Sequence, residues 1–279
     1  MSPALPASLK TLLVLLLIGQ TTFIADARAW GPDGHSIVAE IAQRRLSPVA
    51  VAKVQDLLGA NASLASIASW ADDVREARPE TRNWHFVNIP LADAAYDPAR
   101  QCVQDERKGD CILNELDRAI ATLADLDQDK ARRTEALMFV VHFVGDLHQP
   151  LHTVLEDQGG NFFPVRFFTD PTGRRIVDTQ LHKVWDVGLI DYLYWNWGAY
   201  VSYLVGTWLP AHQDIDFAAG KPADWMLESH RIASQSAYAG LARGMQLDAA
   251  YVARVRPDLD RQLAAAGVRL ASVLNNALR

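Results

Sequence analysis

Only two of the 279 residues are cysteine, Cys102 and Cys111, which excludes a small fold stapled by disulfides. Neither has the CxxC spacing of a redox centre. Positive charge is scarce as well. With 27 Lys plus Arg against 33 Asp plus Glu the net charge is -6, so no broad basic surface grips duplex backbone by counterion release. If this chain handles nucleic acid, something other than Lys and Arg must attract the phosphates. Long hydrophobic runs are missing too: the longest, residues 12–18, falls far short of the about 20 apolar residues that cross a bilayer. There is no internal repeat, no low-complexity tract and no linker that would divide residues 30–279, so disorder and fibrous architectures are excluded and one domain is the simplest reading.

What is present begins with a targeting pattern. Lys10 precedes the apolar run at 12–18, and the small-x-small sequence Ala27-Arg28-Ala29 follows. Residues 1–29 therefore read as a signal peptide, the alternative being an uncleaved anchor, and the mature chain of residues 30–279 is expected to start at Trp30, secreted or periplasmic. Loss of Lys10, Asp26 and Arg28 takes the net charge to -7. In an oxidising compartment Cys102 and Cys111 read as a disulfide, a loop clamp worth about 2–3 kcal/mol by chain entropy.

Helical periodicity dominates the rest. Residues 35–46 carry apolar side chains at Ile37, Val38, Ile41, Ala42 and Leu46, and Ser47-Pro48 supplies a cap and a start for 49–58. Further amphipathic stretches cover 112–126, 132–147, 182–205, 222–243 and 251–278. One stretch disagrees. Residues 162–177 place Val165, Phe167 and Phe168 before Asp170-Pro171-Thr172-Gly173 and Arg175, Ile176 and Val177 after it, the pattern of a β-hairpin. A mainly α single domain with a small hairpin is expected.

The chemistry concentrates in histidine and aspartate. His142 and Asp146 are four apart and share one helix face; Pro150 then bends or ends the helix and lets His152 turn toward that face. His182 and Asp186 repeat the i,i+4 spacing. Taken singly, such a pair is an ordinary surface ion pair. Two pairs in apolar surroundings, with Asp72-Asp73 close to Trp70 and His85 between Trp84 and Phe86, call for a partner that His nitrogen and carboxylate oxygen both bind. Zinc is that partner.

These motifs are together highly specific: HxxxDxHQPxH over 142–152, HxxWD over 182–186, and Trp30 followed five residues later by His35. They resemble the S1/P1 nuclease family, zinc-dependent enzymes related in fold to bacterial zinc phospholipase C. The resemblance implies a helical phospholipase C/P1 nuclease-like fold holding three Zn2+ ions. Asp72, His85, His142 and Asp146 would hold the first ion and His152, His182 and Asp186 the second. The third would take the α-amino nitrogen and carbonyl oxygen of Trp30, the His35 ring and Asp146 as a bridge. Because a backbone amine is a ligand only at a chain terminus, signal removal would complete the site.

By the same resemblance Asp72 orients the attacking water, which bridges two metal ions. Arg75 contacts the phosphate and Phe86 stacks a nucleobase. Asn88 stands where fungal relatives carry a base-contacting Asp. Asp73 would face solvent, and Gly159-Gly160-Asn161 would form a tight turn. His148 would make a structural hydrogen bond, and His212 and His230 have no ligand-like neighbours. The implied function is an exported endonuclease acting on single-stranded DNA, RNA and nucleotides, leaving 5′-phosphates, with 3′-nucleotidase activity. A monomer without stable membrane association or protein partner is expected. Two rivals remain: a phospholipase C, disfavoured because its last ligand is Glu where this chain has Asp186, and a non-catalytic zinc-binding protein of the envelope.

Overall fold

Helix ends in this chain follow local capping chemistry. In the computed structural model, which describes residues 30–168, 172 and 175–279, Ser47 accepts from the Ala50 amide and Pro48 opens the helix Pro48–Leu58. The expected leader (1–29) and hairpin-turn residues 169–171, 173 and 174 lie outside the described residues. Asp129 caps Lys130–Leu147 through the Arg132 amide, and Asp248 caps the 29-residue helix Ala249–Ala277 through the Tyr251 amide.

Lys130–Leu147 is the centre of the molecule. Its unbroken buried run from Phe139 to Leu147, His142 and Asp146 included, leaves no solvent face, so the second half of this helix is not amphipathic as the periodicity over 132–147 predicts. Around it pack Pro32–Gln43, Ile112–Ala124 and Ala249–Ala277. Phe143, Val144 and Leu147 are fully buried, as are Ile37, Ile41, Leu263 and Leu270. Each such side chain contributes about 1.5–3 kcal/mol over leaving it exposed. Gly267 marks a close helix crossing: a Cβ there would sit 2.4 Å from Ile41 Cγ2. These helices leave His142 and Asp146 fully buried.

Among the described residues the fold is mainly α, with one two-stranded antiparallel sheet, β1 Pro164–Phe168 and β2 Ile176–Gln180. Val165 and Phe167 point inward. The second strand runs three residues past the expected end at Val177, because Gln180 leads straight into the turn Leu181–Lys183 that carries His182. The ribbon thus delivers a candidate ligand.

Two expected helices are interrupted. Over 182–205 the chain makes a π-helical turn at Val184–Gly188, with the Leu189 amide bonded back to the Val184 carbonyl. It continues as Leu189–Leu193, breaks at the extended Tyr194 and restarts at Trp197 behind the Asn196 cap. Over 222–243 the helix Pro222–Ile232 passes through a π turn at Ala233–Ala237 and stops at Tyr238, ahead of Gly240 and Gly244, which take positive φ. Periodicity cannot register the extra residue of a π turn. Among the described residues no helix is long and apolar enough to cross a membrane.

Candidate metal centre

Five histidines and three aspartates converge from six separate segments. His35 comes from Pro32–Gln43, Asp72 from the short helix Trp70–Val74, and His85 from the end of the 3-10 segment Pro79–His85. His142 and Asp146 lie on Lys130–Leu147, His152 on the 3-10 turn Pro150–Thr153, and His182 and Asp186 follow the ribbon. Pro150 does separate His152 from the helix, which ends at Leu147.

The tightest group is four atoms. His85 Nδ1 lies 3.1 Å from His142 Nε2 and 3.1 Å from Asp146 Oδ2, and His142 Nε2 lies 3.2 Å from the same oxygen. Asp72 Oδ1 stands 3.7 Å from both imidazole nitrogens. Ligands in a tetrahedron around zinc, with bonds of about 2.0–2.1 Å, are about 3.3–3.4 Å apart. The spacing fits. The tautomer fits as well: His142 Nδ1 donates to the Ala68 carbonyl at 2.7 Å, so in the neutral ring Nε2 offers a lone pair toward His85 Nδ1.

Asp146 faces two ways. While Oδ2 belongs to that set, Oδ1 lies 3.3 Å from His35 Nε2 without hydrogen-bond alignment, and both atoms are buried with no hydrogen-bond partner. The His35 ring stacks on His142 with centroids 4.0 Å apart. Gly145 makes room for it, since a Cβ there would meet His35 Nδ1 at 2.8 Å. Trp30 is fully buried beside this end, anchored where the Gly31 amide donates to the Asp186 carbonyl at 2.9 Å.

The remaining group is His152, His182 and Asp186, all buried. His152 Nδ1 donates to the His85 carbonyl (2.7 Å) and His182 Nδ1 to the Gly159 carbonyl (2.6 Å), which turns both Nε2 atoms inward. His182 Nε2 lies 3.2 Å from Asp186 Oδ2. Gly159 and Gly160 have φ of +64° and +81°, and a Cβ on Gly159 would strike the Leu151 carbonyl at 2.4 Å. The tight turn read in Gly159-Gly160-Asn161 thus aims a carbonyl at His182.

Buried polar atoms without partners are costly unless something satisfies them. Here Asp72 Oδ1, Asp146 Oδ1, His152 Nε2 and both nitrogens of His35 are such atoms. All belong to residues of the groups just described, and nitrogen and oxygen donors of this kind suit zinc. Without an ion, protons must stand in. Burial lowers His142, but the charges of Asp146 and Asp72 and its hydrogen bonds outweigh burial and lift it to about 9. Burial drives His85 down to about 4 and also lowers His35 and His152. Asp146 is held well below the carboxylate range, burial being outweighed by His142, whereas burial pushes Asp186 well above it.

At the mouth, Arg75 is half-buried, donates to the Arg82 carbonyl at 3.1 Å and places its charge close enough to lower His152 further. Asp73 is exposed. From His85 to Ile89 burial alternates, with His85, Val87 and Ile89 inward and Phe86 and Asn88 on the other side. Phe86 is half-buried and stands apart from the hydrophobic core. The disulfide Cys102–Cys111 closes a loop that grips this segment: the Asn83 amide donates to the Lys108 carbonyl and the Ile112 amide to the Phe86 carbonyl.

His148 is buried, donating from Nδ1 to the Val144 carbonyl and accepting from Arg269 at Nε2. His212 bonds the Trp208 carbonyl, and His230 is directed at the carbonyls of Thr153 and Asp93. None of the three belongs to a metal-holding group among the described residues. One residue was missed by the reading of the sequence. Gln149 is fully buried and bonds both Asp186 and the Leu151 amide; its place between His148 and Pro150 inside the densest motif was the available signal.

A helical scaffold that buries imidazoles and carboxylates around shared points has the build of a metal-holding protein. The sequence comparisons specify which. The S1/P1 Nuclease family model matches residues 30–279, and the chain belongs to that family of zinc-dependent hydrolases acting on phosphodiester bonds. Among its relatives, Endonuclease 2 of Arabidopsis thaliana is 31% identical over 273 residues, covering 90% of this chain and 91% of the relative. Nuclease P1 of Penicillium citrinum is 35% identical over 167 residues, covering 56% and 57%. Nuclease S1 of Aspergillus oryzae is 30% identical over 193 residues, covering 66% and 60%.

Proposed function

We propose that residues 1–29 are removed on export to the periplasm or exterior, and that the chain starting at Trp30 is a monomeric zinc-dependent endonuclease. It cleaves single-stranded DNA and RNA to 5′-phosphate products and has 3′-nucleotidase activity. The observation that carries this is the set of four buried atoms of His85, His142, Asp72 and Asp146 at zinc-ligand spacing.

These four residues would hold one ion; His152, His182 and Asp186 a second; and Trp30, His35 and the far oxygen of Asp146 a third. Bound zinc acidifies water and offers phosphate oxygens a Lewis acid, which supplies the attraction that an acidic protein otherwise lacks. The protein's own groups do the positioning. Asp72 accepts a hydrogen bond from the attacking water and orients it toward phosphorus. Arg75 donates charge-assisted hydrogen bonds to the phosphate oxygens, whose charge grows in the transition state. Phe86 stacks an unpaired base, worth about 1–3 kcal/mol, which selects single strands without reading sequence. Asn88, exposed on the same side, borders that base.

The test combines metal analysis of the mature protein with cleavage of a single-stranded oligonucleotide before chelation, after chelation and after zinc is restored. Loss and recovery of cleavage with zinc content is the expected outcome. Full cleavage by metal-free protein, or a zinc-loaded protein that turns over no phosphate ester, would refute it.

A further inference from the structure

Gln149 sits where the central helix gives way to the Pro150–Thr153 turn, with no exposed surface. Its Oε1 accepts from the Leu151 amide at 2.6 Å and its Nε2 donates to Asp186 Oδ1 at 2.5 Å. The first bond fixes the second. An amide N–H can only meet the carbonyl end of the side chain, so the NH2 end must face the carboxylate. Asp186 is thereby left with Oδ2, the oxygen 3.2 Å from His182 Nε2, pointing into the group it shares with His152.

Resting on the metal-centre reading above, we propose that Gln149 is a positioning residue that restricts Asp186 to one metal-facing oxygen. It also ties the turn carrying His152 to the segment carrying His182 and Asp186. Three ligands on two separate stretches of chain are then set by a single buried amide. With Oδ1 occupied, Asp186 contributes one donor, and the three protein groups leave coordination positions open, as a catalytic site requires and a closed structural site does not. A carboxylate released from Gln149 is free to present both oxygens or to swing away.

Partners of this kind change metal affinity by roughly 10–100-fold when removed. The experiment measures zinc per chain against a graded chelator for wild type, Gln149→Leu, Asp186→Asn and the double variant. Gln149→Leu is expected to weaken retention of one ion 10–100-fold while the others are held as in wild type, and to add nothing in the Asp186→Asn background. Because Gln149→Leu also strands the Leu151 amide, Gln149→Met, of similar length, with a sulfur that accepts weakly from that amide and no donor for Asp186, is run through the same cycle. Should Asp186→Asn leave zinc retention untouched, the metal-centre reading falls. If that variant loses zinc but the Gln149 variants do not, or if they weaken every ion equally in both backgrounds, this inference alone is refuted.

Discussion

Zinc entering the metal-free protein at neutral pH would have to displace the proton that His142 holds. His142 is lifted to about 9 by Asp146 and Asp72 against the effect of burial, so at pH 7 it carries a proton on the nitrogen that faces His85. Removing it at pH 7 costs about two pKa units, on the order of 100-fold in affinity. Affinity at the group formed by His85, His142, Asp72 and Asp146 is therefore expected to rise about tenfold per pH unit between 7 and 9 and then level off. Asp186, pushed well above the carboxylate range by burial, adds to the protons released when its own group fills. Isothermal titration of zinc into chelator-treated protein, in buffers of different ionisation enthalpy, counts those protons. At least one per chain at pH 7 is expected. Zero release, with an affinity flat from pH 7 to 9, would refute the reasoning.

Four further outcomes follow from the same geometry. The metal-free protein should be most stable near pH 6.5. The raised value of His142 gives stability that is present below 6.5 and fades as pH rises through about 9; the lowered values of His85, His35, His148 and His152 withdraw stability as pH falls below 6.5, against the opposing effect of Asp186, whose raised value takes stability away as pH climbs above the ordinary carboxylate range, and urea denaturation across pH measures the result. Asp146→Asn should abolish turnover and lower zinc content, whereas Asp73→Asn on the exposed neighbour of Asp72 should change neither; equal effects would overturn the assignment. Phe86→Ala should raise KM for single-stranded oligonucleotides about 5- to 150-fold, the equivalent of about 1–3 kcal/mol of stacking, and leave a small phosphodiester without a base unaffected. Cys102→Ser with Cys111→Ser opens a loop of sequence separation 9 and should cost about 2–3 kcal/mol in thermal or urea denaturation.

Much of this architecture was legible because the relevant signals are local. Ser47-Pro48 marked a helix start, the i,i+4 pairs put His142 with Asp146 and His182 with Asp186, and Pro150 ended the central helix where expected. The illegible parts depend on distant partners or on subtle changes of helical period. The π turn at Val184–Gly188 preserves an apolar pattern while adding a residue, and the break at Tyr194 hides in a run of aromatics. Gln149 was overlooked because an amide declares a role only once Asp186, 37 residues away in sequence, is seen beside it. Likewise no pattern reveals that the carbonyls of Ala68, His85 and Gly159 hold the imidazoles of His142, His152 and His182, since every residue has a carbonyl.

The central claim is that one buried cluster would hold several zinc ions, two of them sharing Asp146. Anomalous X-ray scattering at the zinc edge, from crystals of the protein beginning at Trp30, tests it directly. Three peaks are predicted: one among His85, His142, Asp72 and Asp146, one among His152, His182 and Asp186, and one between His35 and Trp30. Peaks elsewhere on the surface, or none in this cluster from protein soaked in zinc, would contradict the account.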